Sequence, residues 1–238
     1  MKKSIFAVAV VFALAPGLAF ASPHGARLQV GAFQNHVGFG GAAGNLSGMS
    51  LGIKGVSRRL GGVGVRAGVS YSRGAGASLE TLDVRAVANP AAALSPYLSA
   101  GVVDLSLLSG ATSSATTYSI NQATGVISPV TTTTALPPTS MVMGVGFVGL
   151  RARYALNPRL LLAAHAALGA GFGGSATGLP PAAAGATSPL ATSVGLGMRY
   201  AMTRHTSVGL TYTRTSIPNR GATFLSSGVS VQVSALFH

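Results

Sequence analysis

Apolar and polar residues alternate at period two along most of this chain. In GVSVQVSALFH, residues 228–238, Val229, Val231, Val233, Ala235 and Phe237 fall on one side of an extended strand, and Ser230, Gln232 and Ser234 on the other. TSVGLTYTR sets Val208, Leu210 and Tyr212 against Gly209, Thr211 and Thr213, and SVGLGMRYAM sets Val194, Leu196, Met198, Tyr200 and Met202 against Gly195, Gly197 and Arg199. In GLRARYALNPRLLLAAHAALG, Leu150, Ala152, Tyr154 and Leu156 oppose Arg151 and Arg153. Asn157-Pro158 then supplies a turn, and Leu160, Leu162, Ala164, Ala166 and Leu168 resume opposite His165. GGVGVRAGVSY does the same with Val63, Val65, Ala67, Val69 and Tyr71 against Gly64, Arg66, Gly68 and Ser70.

These patterns predict about ten strands, at roughly 26–34, 47–58, 62–73, 79–89, 96–109, 140–156, 159–173, 191–202, 205–215 and 224–237. Counts of eight and twelve remain compatible with the same pattern. Short connections at 58–61, 89–95, 157–159 and 203–205 alternate with generally longer ones, which places both ends of the strand array on the short-turn side. The longest connection, 111–140, reads as two extended arms around Asn121 to Gly125, a hairpin projecting beyond the fifth and sixth strands.

The N-terminus follows a different rule. Lys2 and Lys3 precede an apolar run from Ile5 to Leu14, a Pro16-Gly17 breaker and Ala19-Phe20-Ala21. This is the pattern of a secretory signal peptide, residues 1–21, cleaved before Ser22. The run is too short to span a bilayer as a helix. The remaining 22–238 is expected to form one domain outside the cytoplasm.

Composition decides what the apolar faces meet. Charged residues make up 8% of the chain, against about 25% in ordinary soluble domains, while hydrophobic residues make up 48%. A surface with so few charges is poorly suited to water. Without a spanning helix, a lipid-exposed chain satisfies its backbone donors and acceptors only by closing a barrel. The expected fold is therefore an all-β transmembrane antiparallel up-and-down β-barrel. There is no cysteine, so disulfides and thiolate metal sites are excluded.

SPYLSAGV (95–102), the paired GLRARYALNPRLLLAAH and GLGMRYAMTRHTSVGLTY, and the closing strand ending in Phe237 resemble the small bacterial outer-membrane barrels of the opacity-protein and OmpA-transmembrane-domain type, within the porin-like group. The resemblance covers most of residues 22–238. It implies a location in the outer membrane of a Gram-negative bacterium, contact with outer-membrane lipid and lipopolysaccharide, and delivery by the barrel-assembly machinery, for which Phe237 stands where the terminal aromatic signal is read. His238 after that aromatic residue, the absence of Trp and only 6% aromatic residues depart from the group's pattern.

With the apolar faces outward, Lys54, Arg66, Arg85, Arg151, Arg153 and Arg199 are expected in the lumen, joined by Asp83, Asp104 and His165. The preferred reading is that they fill a narrow barrel. The alternative is a constriction favouring anions, as rings of like charge do. An extracellular ligand taken by the 110–139 segment is the alternative to a polar hood without one. Gly144, Gly146 and Gly149 match G-x-G-x-x-G but sit inside a strand pattern, so no nucleotide site is expected. The basic residues are spread singly, and no nucleic-acid partner is expected. No cofactor is expected, and no metal site, because no His or carboxylate cluster has ligand spacing. A lipid-modifying outer-membrane enzyme is the third reading, through His165 with Asp104 and Ser106 across the lumen, and it requires a geometry that spacing does not supply. The primary expectation is a structural or surface-interaction role.

If lipid covers the apolar rows, the protein in membranes changes its gel mobility on heating, as a closed barrel unfolds. A compact monomer in plain buffer without detergent would overturn that assignment.

Overall fold

The computed structural model describes residues 26–39, 42–57, 63–74, 76–107, 112–120, 127–135, 139–177, 190–219 and 222–237. The expected signal peptide and residues 178–189 of the 174–190 loop lie outside the described residues. Twelve strands are seen: β1 (Ala26–Phe39), β2 (Ala42–Ser57), β3 (Val63–Gly74), β4 (Ala77–Val87), β5 (Leu94–Leu107), β6 (Thr112–Ile120), β7 (Ile127–Ala135), β8 (Thr139–Ala155), β9 (Leu160–Thr177), β10 (Ala191–Ala201), β11 (Thr206–Asn219) and β12 (Ala222–Phe237). Ten of them close an antiparallel barrel in the order β1-β12-β11-β10-β9-β8-β5-β4-β3-β2, and β6 with β7 forms a separate two-stranded sheet. Each barrel strand except the closing pair bonds its neighbours in sequence order, with β6–β7 inserted between β5 and β8. The arms around Asn121 to Gly125 are thus observed as that hairpin, paired from Thr112↔Ala135 to Ile120↔Ile127.

Two of the short turns are held by side chains that mimic backbone. Asn157 Oδ1 accepts from the amides of Arg159 at 2.9 Å and Leu160 at 2.8 Å. Thr203 Oγ1 accepts from His205 N at 3.2 Å and Thr206 N at 3.0 Å. Such bonds satisfy amides that the ladder leaves open at a hairpin tip. The end of the barrel bearing these turns also bears Ala26 and Phe237, and we call it the terminal end. The opposite, hairpin end differs from expectation: three of its connections, at 40–41, 75–76 and 220–221, are short, because β1, β2, β11 and β12 run on through residues expected to form loops.

Those extensions obey an inverted polarity. Over the terminal part of the barrel the outward residues are apolar, such as Val30 and Leu51, and the inward ones polar, such as Gln29 and Gly52. Towards the hairpin end the alternation keeps its period and exchanges its faces. Outward positions become His36, Asn45, Arg73, Glu80, Asp104 and Arg214, while Val37, Phe39, Leu46, Leu79, Leu105, Met141, Met143, Ile217 and Phe224 turn inward and are buried. His36 Nδ1 lies 2.9 Å from Asn45 Oδ1 on the outer fringe. The inward residues, with Val103, Leu107 and Val145, form one contiguous apolar cluster drawn from β1, β2, β4, β5, β8, β10, β11 and β12. It fills the barrel as a plug. Gly171 of β9 leaves the space that Met143 occupies, since a Cβ there would stand 2.9 Å from the Met143 sulfur.

Burying each large plug side chain contributes about 1.5–3 kcal/mol. Met143→Ala or Phe39→Ala is therefore expected to lower barrel stability by about 2–5 kcal/mol, the cost of a core truncation. A denaturant titration in detergent measures it, and a change inside about 0.5 kcal/mol, typical of a surface site, would contradict the plug.

Candidate functional site: the basic half of the lumen

Below the plug lies a cavity of about 500 Å³, lined by Lys54, Arg66, Asp83, Arg85, Arg151, Arg153, His165 and Arg199 among others. Leu79, Val103, Val145, Phe147, Ile217 and Phe224 also line it, so the floor of the plug is its roof. Eight of the nine charged or titratable residues expected inside therefore share one chamber. Asp104 does not. It lies on the same face of β5 as Leu98, Ala100 and Val102, and pairs in register with Glu80 on the outside of β4. Ser106 shares that outer face, so His165 and the Asp104–Ser106 pair are separated by the barrel wall and cannot form one constellation.

The ladder fixes the cations relative to one another. Arg27 pairs in register with Lys54, Lys54 with Arg66, and Arg66 with Arg85, giving a row of four cations across β1 to β4. Directly opposed side chains stand about 4.5–5.5 Å apart at Cβ, and like charges there are destabilising. Arg27 was absent from the expected set, although RLQV carries the signal: Arg27 and Gln29 alternate with Leu28 and Val30. Arg151, Arg153 and Arg199 stand on β8 and β10. Among the described residues Asp83 is the one carboxylate on the lumen face, set against seven cations.

Neutral groups carry part of this load. Arg85 stacks its guanidinium 4.6 Å from the centre of the Tyr97 ring, a cation–π contact. Tyr97 in turn meets His165 edge to face, with centroids 6.2 Å apart. Both rings lie over glycine: a Cβ at Gly149 would stand 2.8 Å from Tyr97 Cζ, and one at Gly195 would collide with the His165 ring. Room for rings, more than for arginine arms, is what these lumen glycines provide. The G-x-G-x-x-G match at Gly144, Gly146 and Gly149 falls into place as well. Gly144 and Gly146 face outward beneath the Phe172 ring, so the G-x-G-x-x-G spacing serves packing on both faces of β8.

The turn between β4 and β5 closes part of the terminal mouth. Asn89 adopts a left-handed φ of 46°, and Ser95 Oγ donates to its carbonyl at 2.9 Å. Pro90 then leans inward against Gly64. Its carbonyl accepts from Arg151 Nη2 at 2.8 Å and from Arg153 Nη1. Arg199 donates from Nε to Ser207 Oγ at 2.9 Å. Among the described residues no partner meets the buried Nε atoms of Arg66, Arg85 and Arg151, His165 Nε2 or Gln29 Oε1. Among the described residues no group of three or more His, Asp or Glu could hold a metal ion.

The backbone of Phe237 pairs with Ala26 at the closing seam. No protein-family profile matches the chain, and no curated protein sequence matches it. Among solved structures it is similar to the translocator domain of autotransporter NalP from Neisseria meningitidis, at 15% identity over 99% of this chain and 98% of that one, with a TM-score of 0.43. It is also similar to the transport unit of the autotransporter AIDA-I from Escherichia coli, at 8% identity over 95% and 98% of the two chains, TM-score 0.41. A third is Neisserial surface protein A, at 13% identity over 89% and 97%, TM-score 0.30.

Gly195→Val is expected to drive the His165 ring from its seat and reduce the heat stability of the folded barrel by several degrees, through overpacking of about 1–3 kcal/mol. Gly209→Ala, whose Cβ would meet its nearest neighbour at 3.4 Å, is the tolerated control. Equal melting of the two variants would contradict the ring placement.

Proposed function

We propose that this chain is an outer-membrane β-barrel with a structural or surface-interaction role, its lumen blocked rather than conducting. The observation that carries the membrane placement is the inverted wall: Leu98, Val148, Leu196, Leu168 and Val231, from five different strands, are exposed on the outside of a barrel whose inside holds the charges. Hydrocarbon is the solvent that such a wall suits. Tyr154 and Tyr200 stand at the terminal ends of β8 and β10, and Tyr71 nearer the hairpin end, sparse versions of the interfacial aromatic rows. The polarity exchange on β1, β2, β4, β5 and β11 supports a boundary at that level, above which these strands are polar outside and apolar inside like those of a water-soluble protein. The β6–β7 hairpin extends the water-exposed part and supplies the surface for an interaction, with Tyr118 exposed on it.

A narrow anion-favouring channel is the second reading, supported by the excess of lumen cations. The plug weighs against it, because an ion would have to cross a closed apolar layer in which it finds no partner. Lipid and lipopolysaccharide contact, assembly through Phe237 and the absence of catalysis belong to the same proposal.

In planar bilayers the wild-type protein is expected to give no sustained conductance, and a Phe39→Ala, Met143→Ala double variant to admit intermittent steps. Anion-selective steps in the wild type, lost on Arg151→Ala or Arg199→Ala, would establish the channel instead. For the membrane placement, Leu196→Arg is expected to cost about 2–4 kcal/mol of folding stability in lipid near the midplane, and Thr211→Arg, on the lumen side, distinctly less. Equal costs would remove the support for a lipid-facing wall.

A further inference from the structure

We propose that the chamber beneath the plug binds a small soluble molecule bearing two or more phosphate or sulfate groups, entering from the terminal end. Cations placed side by side by the ladder, as Arg66 and Arg85 are, raise the energy of the folded barrel unless something neutralises them. Within the chamber the chain supplies only Asp83 among the described residues, because Glu80 and Asp104 face outward. The deficit is therefore built in by register and cannot be relieved by a change of rotamer.

The unused donors point the same way. Arg66 and Arg85 each keep a buried Nε without a partner among the described residues, as does Arg151. A buried donor left open costs free energy that a ligand oxygen would recover. Arg85 is held face-on by Tyr97 at 4.6 Å, which leaves the edge of its guanidinium available. Guanidinium edges match tetrahedral oxyanions through paired N–H donors, a match that a halide cannot make. More than one anionic group is required because the cations are spread around the wall, Arg66 and Arg85 on β3 and β4, Arg151 and Arg153 on β8, and Arg199 on β10, which stands across the barrel from β3. The chamber of about 500 Å³ is of the size that holds small ligands. A lipid headgroup is disfavoured, since its chains would have to thread a polar mouth narrowed by Pro90.

This inference stands on the lumen geometry and not on the membrane placement, so the failure of either leaves the other intact. The test is calorimetric titration of the refolded full chain, in zwitterionic detergent at physiological salt, with inorganic tripolyphosphate. One saturable site is expected, weakened about tenfold by Arg66→Gln or Arg85→Gln, the loss of a charge-assisted hydrogen bond. Heat-shifted gel mobility confirms that each variant is folded, and Arg85→Lys, which keeps the charge and loses the fork, should weaken binding as well. Arg204→Gln, in the exposed turn after β10, should leave it unchanged. Absence of saturation overturns the proposal, as does an equal loss in Arg204→Gln, which would signify diffuse attraction. Displacement of tripolyphosphate by a single-chain phospholipid at matched phosphate concentration would also overturn it, by assigning the site to a headgroup.

Discussion

The structure depends on the pairing of β1 with β12. In a sheet, side chains alternate strictly between faces, so the register of the closing pair decides which residues face inward throughout the barrel. Ala26↔Phe237, Val30↔Val233 and His36↔Ser227 fix it here over nearly the whole length of β1. A slip of one residue at this seam would put Val229, Val231 and Val233 in the lumen and Ser230, Gln232 and Ser234 outside. Closure also leaves no strand edge among the ten, which removes the unpaired donors and acceptors that neither lipid nor a neighbouring chain should meet.

Two opposing contributions share the interior. The row from Arg27 to Arg85 places like charges in contact, each such opposition costing some tenths of a kcal/mol up to about one. The plug contributes about 1.5–3 kcal/mol for every large side chain it buries, and it has twelve of them. The plug therefore outweighs the repulsion comfortably. A lumen filled only with polar and charged groups would lack this source of stability, while one filled only with apolar groups would have no room for the chamber. Dividing the lumen lengthwise allows both.

The period of the alternation was plain in the sequence, and with it all ten barrel strands, the Asn157-Pro158 and Thr203 turns and eight of the nine lumen residues. What the sequence obscured was polarity. Reading every apolar face as outward is correct for Val194, Leu196 and Met198, but fails for Val103, Leu105 and Leu107, which belong to the plug and face inward. Asp104 alternates with plug residues, so a rule suited to the terminal part of the barrel puts it on the wrong side. The same inversion lengthens β1, β2, β11 and β12 beyond expectation, since His36 and Asn45 look like loop residues when every outward position is expected to be apolar. Arg27 was missed because the first strand offers few positions from which to set a phase.

Charge and closure have to be read together. Rings of cations in an open bore lower the barrier for anions and let them pass, because each site is favourable enough to enter and weak enough to leave. With a roof of Leu79, Val103, Ile217 and Phe224 above them, the same cations create a well with one exit. The potential is strengthened by the low-dielectric wall around it, and Pro90 at the mouth already supplies a carbonyl oxygen to Arg151 and Arg153. An anion entering from the terminal end would find Arg66 and Arg85 deeper than that carbonyl, each with a buried Nε donor still unpaired among the described residues. Retention, and not passage, is the behaviour that this combination of plug and unpaired guanidinium groups favours.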